Sequence, residues 1–195
     1  MPQLFILAGC NGAGKTTTAK ILLPKFLGGI EFVNADIIAA KLNPDFPESV
    51  SFQAGRIMLE RVDILLSEKS SFAIETTLAT KSYVGLTKKA QSLGYEVVLM
   101  YFWLESYDMA LRRVAKRVRE GGHFIPDEDV KRRYEGGIRN LVDLFIPVVN
   151  RWSVYDNSDY NFRNPQLIAK NEEDKSVIIE NEEIWLKLQS YGKEK

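Results

Sequence analysis

Residues Gly9-Cys10-Asn11-Gly12-Ala13-Gly14-Lys15-Thr16 match the spacing G-x-x-x-x-G-K-[ST] at every fixed position. Gly9, Gly12 and Gly14 permit a tight loop whose backbone N–H groups turn inward onto phosphate oxygens. A helix starting at the loop adds the partial positive charge of its N-terminus. Lys15 can then bridge the β- and γ-phosphates of a nucleoside triphosphate, and the Thr16 hydroxyl can ligate Mg²⁺. Asn11, Ala13 and Thr17 complete the set expected to face the nucleotide. The loop follows the apolar run LFILA and opens the helix-forming TTTAKILL, a strand–loop–helix context that a chance glycine-rich turn lacks.

Phosphate binding alone does not name a reaction. In an open parallel sheet, ligands collect beyond the carboxyl ends of the strands. Asp36 follows the expected strand Glu31–Asn34, and Glu75 follows Ser71–Ile74. A carboxylate on that rim can accept the proton of an attacking hydroxyl or hold Mg²⁺ through water. Asp36 is the candidate base, Glu75 the candidate ligand of an acceptor, and either is a candidate for a metal-bound water beside Thr16. The competing reading of Asp36 is an N-cap for the helix Ala35–Leu42. That of Glu75 is a solvated strand-end carboxylate.

The segment LRRVAKRVREGGHFIPDEDVKRRY carries Arg112, Arg113, Lys116, Arg117, Arg119, Lys131, Arg132 and Arg133, interrupted by Gly121-Gly122 and Pro126. It reads as a basic helix–loop–helix arm able to neutralise charge on a transferring phosphoryl group and exclude water. Most of these cations suit a solvated helix face equally well. Val130, Tyr134, Ile138 and Leu141 define the buried face of the second helix; Arg132 points away from it and Arg133 lies on its flank, so Arg133 is the better site-facing candidate. His123 reads as a loop hydrogen-bonding residue. Cys10 lies near a helix N-terminus, a setting that lowers a thiol pKa, although a permissive loop position is the simpler reading.

These residues must be positioned by an α/β fold: a parallel sheet of the P-loop NTPase, nucleotide-kinase-like kind with helices on both faces. The expected strands are Gln3–Ala8, Glu31–Asn34, Ser71–Ile74, Glu96–Trp103 and Trp152–Tyr155. The expected helices are Lys15–Phe26, Ala35–Leu42, Ser49–Ser67, Lys81–Leu93, Ser106–Glu120 and Pro126–Leu144. Glu96–Trp103 is nearly all apolar, as a strand buried on two faces must be. Leu167–Lys170 and Ser176–Ile179 flank an acidic turn and read as a β-hairpin, followed by a helix from Glu182 to Leu188. The expected organisation is therefore a kinase-like unit over 1–163, with its arm at about 106–145, and a C-terminal hairpin and helix over 164–195 packed on the same domain.

The 195 residues balance 26 Lys+Arg against 26 Asp+Glu, so the basic excess of a nucleic-acid binder is missing and no such partner is expected. No apolar run reaches the roughly 18 residues of a membrane span, so no membrane partner is expected either. The apolar start lacks a basic n-region and reads as a buried strand rather than a signal peptide. One cysteine excludes an internal disulfide. The expected compartment is the cytoplasm.

The ordered set AGCNGAGKTT, FVNAD, AIETTL, RVxxGGHxIPxxxVxRRY and VYDNS resembles the zeta-toxin family of P-loop kinases, especially its short stand-alone members, over roughly residues 1–160. The resemblance implies a nucleotide-kinase-like fold and transfer of the γ-phosphate of ATP or GTP, with Mg²⁺, to a hydroxyl acceptor. The family's best-known acceptor is UDP-N-acetylglucosamine. The resemblance further implies that Asp36 is the base, that Glu75 and Thr77 hold the acceptor, and that Arg117 and Arg133 clamp the phosphates. It brings Asn157, in Asp156-Asn157-Ser158, near the nucleotide base, and it raises an antitoxin as a protein partner. Ala79 stands where many zeta toxins carry arginine, and the acceptor-binding insertions are short, so the acceptor is left open. The rival is a P-loop ATPase or switch working with a macromolecular partner. It would need a Walker-B run, for which Phe72-Ala73-Ile74-Glu75 is a poor match.

Overall fold

The structure is a computed structural model and describes residues 1–26, 29–122, 124–159 and 165–193. His123, Gly28 and the expected boundary at 163–164 lie outside the described residues. In chain order the elements are β1 (Gln3–Ala8), α1 (Lys15–Phe26), β2 (Glu31–Val33), α2 (Ala35–Leu42), a 3₁₀ turn (Pro47–Val50), α3 (Ser51–Ser67), β3 (Phe72–Thr76), α4 (Ser82–Ser92), β4 (Glu96–Trp103), α5 (Tyr107–Arg119), α6 (Asp127–Asn140), a π-helical turn (Leu141–Phe145), β5 (Arg151–Asp156), β6 (Gln166–Asn171), β7 (Val177–Ile179) and α7 (Glu182–Lys193).

One sheet of seven strands, in the order β2-β3-β1-β4-β5-β6-β7, organises the molecule. The first five strands in this order are mutually parallel, and β6 and β7 add antiparallel. β1 is flanked on both edges, with Leu4 opposite both Phe72 and Val97. Leu4–Ala8 are all buried, which is why this strand reads as a continuous apolar run rather than an alternation. The chain leaves β1 towards β2 on one side and reaches β4 on the other, so the crevice at the carboxyl end of β1 is where the topology switches direction. The Gly9–Thr16 loop fills that crevice. Gly9 is required there: its φ is +141°, and a Cβ would run into the Phe102 carbonyl of β4.

Four boundaries differ from expectation by more than one residue. β3 extends through Glu75 and Thr76, because its ladder with β1 continues to Ala8↔Thr76. Glu75 is therefore a strand residue, not a loop residue. The helix expected from Ser49 begins as a 3₁₀ turn with proline at its start. The helix expected to run to Leu144 becomes π-helical at Leu141, where Ile146 N–H donates to the Leu141 carbonyl. The last helix runs to Lys193, beyond the expected Leu188.

The C-terminal elements continue the same sheet. β6 pairs with β5 from Ser153↔Lys170 onward. Trp185 of α7 stacks on Trp152 of β5, with ring centroids 5.3 Å apart and planes 7° from parallel. Tyr191 meets Tyr134 of α6 edge-on at 6.4 Å. Among the described residues, no helix is long and apolar enough to cross a membrane.

Candidate functional site

Glu75 is the meeting point of three elements. Its Oε2 accepts hydrogen bonds from the Thr16 hydroxyl and from Asn34 Nδ2, each at 2.7 Å, and its Oε1 lies 3.5 Å from Lys15 Nζ. Lys15 also donates to the Cys10 carbonyl at 3.0 Å. The Lys15 and Glu75 side chains are only 7% and 10% exposed, so this ion pair works with little solvent screening. The phosphate loop leading into α1 and the carboxyl end of β3 thus converge.

Two cavities meet at this pair. One, of about 250 Å³, lies over the glycine loop between Thr16, Thr17, Arg113 and Arg117. The other, of about 840 Å³, opens on the opposite side, between Asp36, Thr77, Tyr83 and Arg133. Lys15 and Glu75 line both. Asp36, exposed in the first turn of α2, reaches the larger cavity across from Glu75. It is not the helix N-cap. Asn34 takes that role, its Oδ1 accepting from Asp36 N at 2.7 Å and Ile37 N at 3.1 Å. The Asp36 carboxylate is thereby left out of the capping contacts that the alternative reading assigned to it.

The two arginines of the arm take different sides. Arg117 of α5 faces the loop cavity, and Arg133 of α6 faces the larger one. Arg133 also donates to Asn11 Oδ1 at 3.3 Å, tying the arm to the loop. Arg132 is 62% exposed and pairs with Asp129 at 2.7 Å while bordering the larger cavity. α6 turns Val130, Tyr134 and Ile138 into the core, leaves Arg132 exposed and carries Arg133, half-buried, on the flank.

Thr77 lines the larger cavity, and its hydroxyl accepts from the Ala79 N–H at 3.4 Å. The turn it belongs to is strained: Leu78 has a φ of +56° while fully buried. Thr76 Oγ1 accepts from Leu78 N–H, and Asn140 of α6 donates to the Leu78 carbonyl at 2.6 Å, holding the turn in this conformation. Asn157 is placed behind the loop. It is 2% exposed, and its Nδ2 donates to the Ala13 carbonyl at 2.7 Å. The Cys10 thiol is buried, and desolvation pushes its pKa up to about 11 against the opposing pull of Lys15. That overrides the lowering expected from the helix N-terminus.

Arg113, Asn34 and Asn140 were not singled out from the sequence. Arg113 is 6% exposed and donates to the carbonyls of Asn157, Ser158 and Asp159 at 2.8, 2.9 and 3.0 Å. Its signal was an arginine in register with Met109, Ala110 and Val114, the buried stripe of α5. For Asn34, the signal was an asparagine at a strand-to-helix junction. Asn140 gives no signal without the Leu78 turn.

For Mg²⁺, the fit rests on the Thr16 hydroxyl and the Glu75 carboxylate. They form a hard-oxygen pair beside a lysine, and magnesium characteristically takes one or two protein oxygens, with phosphate and water completing its shell. Among the described residues no group of three or more His, Cys, Asp or Glu could hold a metal by itself.

Comparison with known proteins gives the same picture. The family profile described as Zeta toxin matches residues 1–164. An uncharacterised protein of Haemophilus influenzae is 32% identical over 133 residues, which are 68% of this chain and 92% of that protein. A chain of the AvrRxo1-ORF1:ORF2 complex with ATP superposes with a TM-score of 0.77 at 20% identity, covering 98% of this chain. This chain spans only 64% of the length of that one. A chain of the PezAT chromosomal toxin-antitoxin system of Streptococcus pneumoniae superposes with a TM-score of 0.67 at 18% identity, covering 99% of this chain and 85% of that one. At these identities the structural likeness speaks for the fold. With the profile spanning most of the sequence and the motifs carried on the expected elements, the chain belongs to the zeta-toxin family.

Proposed function

We propose that the protein is a nucleotide-dependent kinase that transfers the γ-phosphate of ATP or GTP to a hydroxyl of a small-molecule acceptor. The single observation that carries this reading is the shared wall. Lys15 and Glu75 line both the loop cavity and the larger cavity, so a terminal phosphate seated on the loop lies next to a compartment large enough for an organic acceptor.

In this reading the loop amides and Lys15 hold the triphosphate, and Thr16 with Glu75, directly or through water, would hold Mg²⁺. When bound, that ion supplies neutralisation of phosphate charge. Thr77 and Glu75 orient the acceptor hydroxyl. Asp36 takes its proton as the oxygen attacks the γ-phosphorus in line with the departing nucleoside diphosphate. Arg117 from the donor side and Arg133 from the acceptor side offset the charge that develops. Asn157 acts from behind the loop, through its bond to Ala13. A sugar nucleotide such as UDP-N-acetylglucosamine remains a candidate acceptor through the family. So does an antitoxin-type protein partner, given that PezAT is named as a toxin-antitoxin system.

The test is transfer of labelled γ-phosphate to a metabolite panel by the wild-type protein, Lys15→Ala and Asp36→Asn in parallel. Lys15→Ala is expected to slow transfer about a hundred- to a thousandfold. Asp36→Asn is expected to suppress turnover while nucleotide affinity stays within about twofold, because Asp36 lines the larger cavity and not the loop cavity. Normal turnover by Asp36→Asn would remove it as the base.

A further inference from the structure

We propose that Asn34 is a positioning residue for phosphoryl transfer: its side chain fixes both carboxylates of the acceptor side, Asp36 and Glu75, in one frame. The proposal rests on the kinase reading, and the experiment below separates the two.

Asn34 follows the last residue of β2. Because Val33 is paired with Ile74 in the parallel ladder, the next residue on each strand, Asn34 and Glu75, fall side by side. The two ends of the Asn34 amide then do different work. Oδ1 accepts from the backbone N–H groups of Asp36 and Ile37, at 2.7 and 3.1 Å, and so fixes the first turn of α2, on which Asp36 stands. Nδ2 donates to Glu75 Oε2 at 2.7 Å. Asn34 is 4% exposed, so neither end has bulk water as a ready substitute. An asparagine is the side chain that suits both tasks at once. Aspartate can cap but has no donor for Glu75, and serine can cap but is too short to reach across to the next strand.

The second bond matters because Glu75 Oε2 is shared. The Thr16 hydroxyl also donates to it at 2.7 Å. A Thr16 hydroxyl that turns towards a metal-bound triphosphate gives up that bond, and Asn34 is then the neutral donor still holding Oε2. The Glu75 carboxylate and the backbone that carries Asp36 thus keep a fixed separation through the step in which one carboxylate orients the hydroxyl and the other takes its proton. Asn34 itself lines only the larger cavity and meets the loop cavity through its bond to Glu75. Its effect should therefore fall on kcat and on acceptor KM, with donor affinity spared.

The experiment compares Asn34→Ser, Asn34→Asp and Asn34→Ala in the full chain. Each variant is measured by thermal midpoint, nucleotide dissociation constant and kcat with the acceptor found in the screen. Asn34→Ser keeps a capping oxygen. It is expected to melt within about two degrees of wild type and to bind nucleotide within twofold, yet to lose at least tenfold in kcat. Asn34→Asp is expected to cap equally well and to lose more in kcat, since it sets a carboxylate against Glu75. Asn34→Ala is expected to lose both thermal midpoint and kcat. Wild-type kcat in Asn34→Ser would reduce Asn34 to a helix cap and overturn the proposal. So would kcat losses that merely follow the thermal midpoints across the three variants.

An activity-free readout decides the case if the kinase reading fails. The Asn34 side-chain ¹H–¹⁵N signals should shift in Glu75→Gln, and should stay protected from solvent exchange when a magnesium–nucleotide analogue is added. Signals that exchange like those of a surface amide, or that ignore Glu75→Gln, overturn the proposal whatever the protein phosphorylates. A wild-type protein that binds nucleotide and transfers nothing overturns the kinase reading and leaves the amide signals to decide whether Asn34 holds Glu75.

Discussion

Cys10 lies within the phosphate loop, one bond network away from Lys15, yet its thiol is 2% exposed and its pKa is raised by burial to about 11. The thiol is therefore protonated throughout the physiological range, and thiolate appears only as pH rises towards that value. At pH 8 about one molecule in a thousand carries the thiolate. The native protein is accordingly expected to resist a disulfide-exchange reagent at pH 8 and to react promptly once unfolded in urea. Rapid labelling of the native state would show that the thiol is open. The functional residues divide in the same physical way. Lys15 and Thr16 could be read from the sequence because a phosphate loop is local: eight consecutive residues specify it. Asp36 and Glu75 could be placed on the right rim because strand ends follow from hydrophobic runs. The Asn34 bond to Glu75 and the Arg113 bonds reach partners 41 and 44 or more residues away, and they exist only once strands and helices have docked.

The arm is positioned by two contacts between α6 and the turn after β3. Gly137 packs so closely that a Cβ would stand 2.5 Å from the Thr77 carbonyl and 3.2 Å from the Tyr101 hydroxyl. One turn later, Asn140 holds the carbonyl of the left-handed Leu78. Gly137→Val must push α6, and Arg133 with it, away from Thr77. Overpacking of this kind costs about 1–3 kcal/mol. Urea unfolding should show that loss, and transfer activity should fall by more than the change in folded fraction explains, with donor binding retained. Unchanged transfer would separate arm position from catalysis. Helical periodicity gave the inward face of α6 and the flank position of Arg133. It could not give the π-helical turn at Leu141–Phe145, because a change in the backbone hydrogen-bond step leaves no mark on the apolar spacing. Nor could the run Ser71–Ile74 show that β3 continues through Glu75, since a charged residue ends an apolar pattern even where the ladder goes on.

On the scale of the molecule, the region beyond residue 164 lies outside the family match and is still built into the sheet. Trp185 is 6% exposed on Trp152, and Lys187 lies 5.3 Å over the Trp103 ring while donating to the Glu105 carbonyl. Helix α7 thus braces the ends of β4 and β5 and, through Tyr191, the helix that carries Arg133. Trp185→Ala is expected to cost about 3–5 kcal/mol in chemical denaturation. The loss should appear as one cooperative transition, because α7 shares its core with the sheet. A separate early transition would mean that the C-terminal elements fold on their own. The parallel core and the closing hairpin were both legible, as alternating runs with turn signals between them. The tryptophan stack was not, because it joins residues 152 and 185 across a strand-to-helix packing that no local pattern records.

The common wall of Lys15 and Glu75 also determines what the protein does while idle. With nucleotide loaded and the acceptor compartment empty, the terminal phosphorus faces a chamber of about 840 Å³ that bulk solvent can flood. Water is then the nucleophile at hand. A slow leak of inorganic phosphate should accompany donor binding, and it should diminish as a true acceptor saturates the chamber and displaces that water.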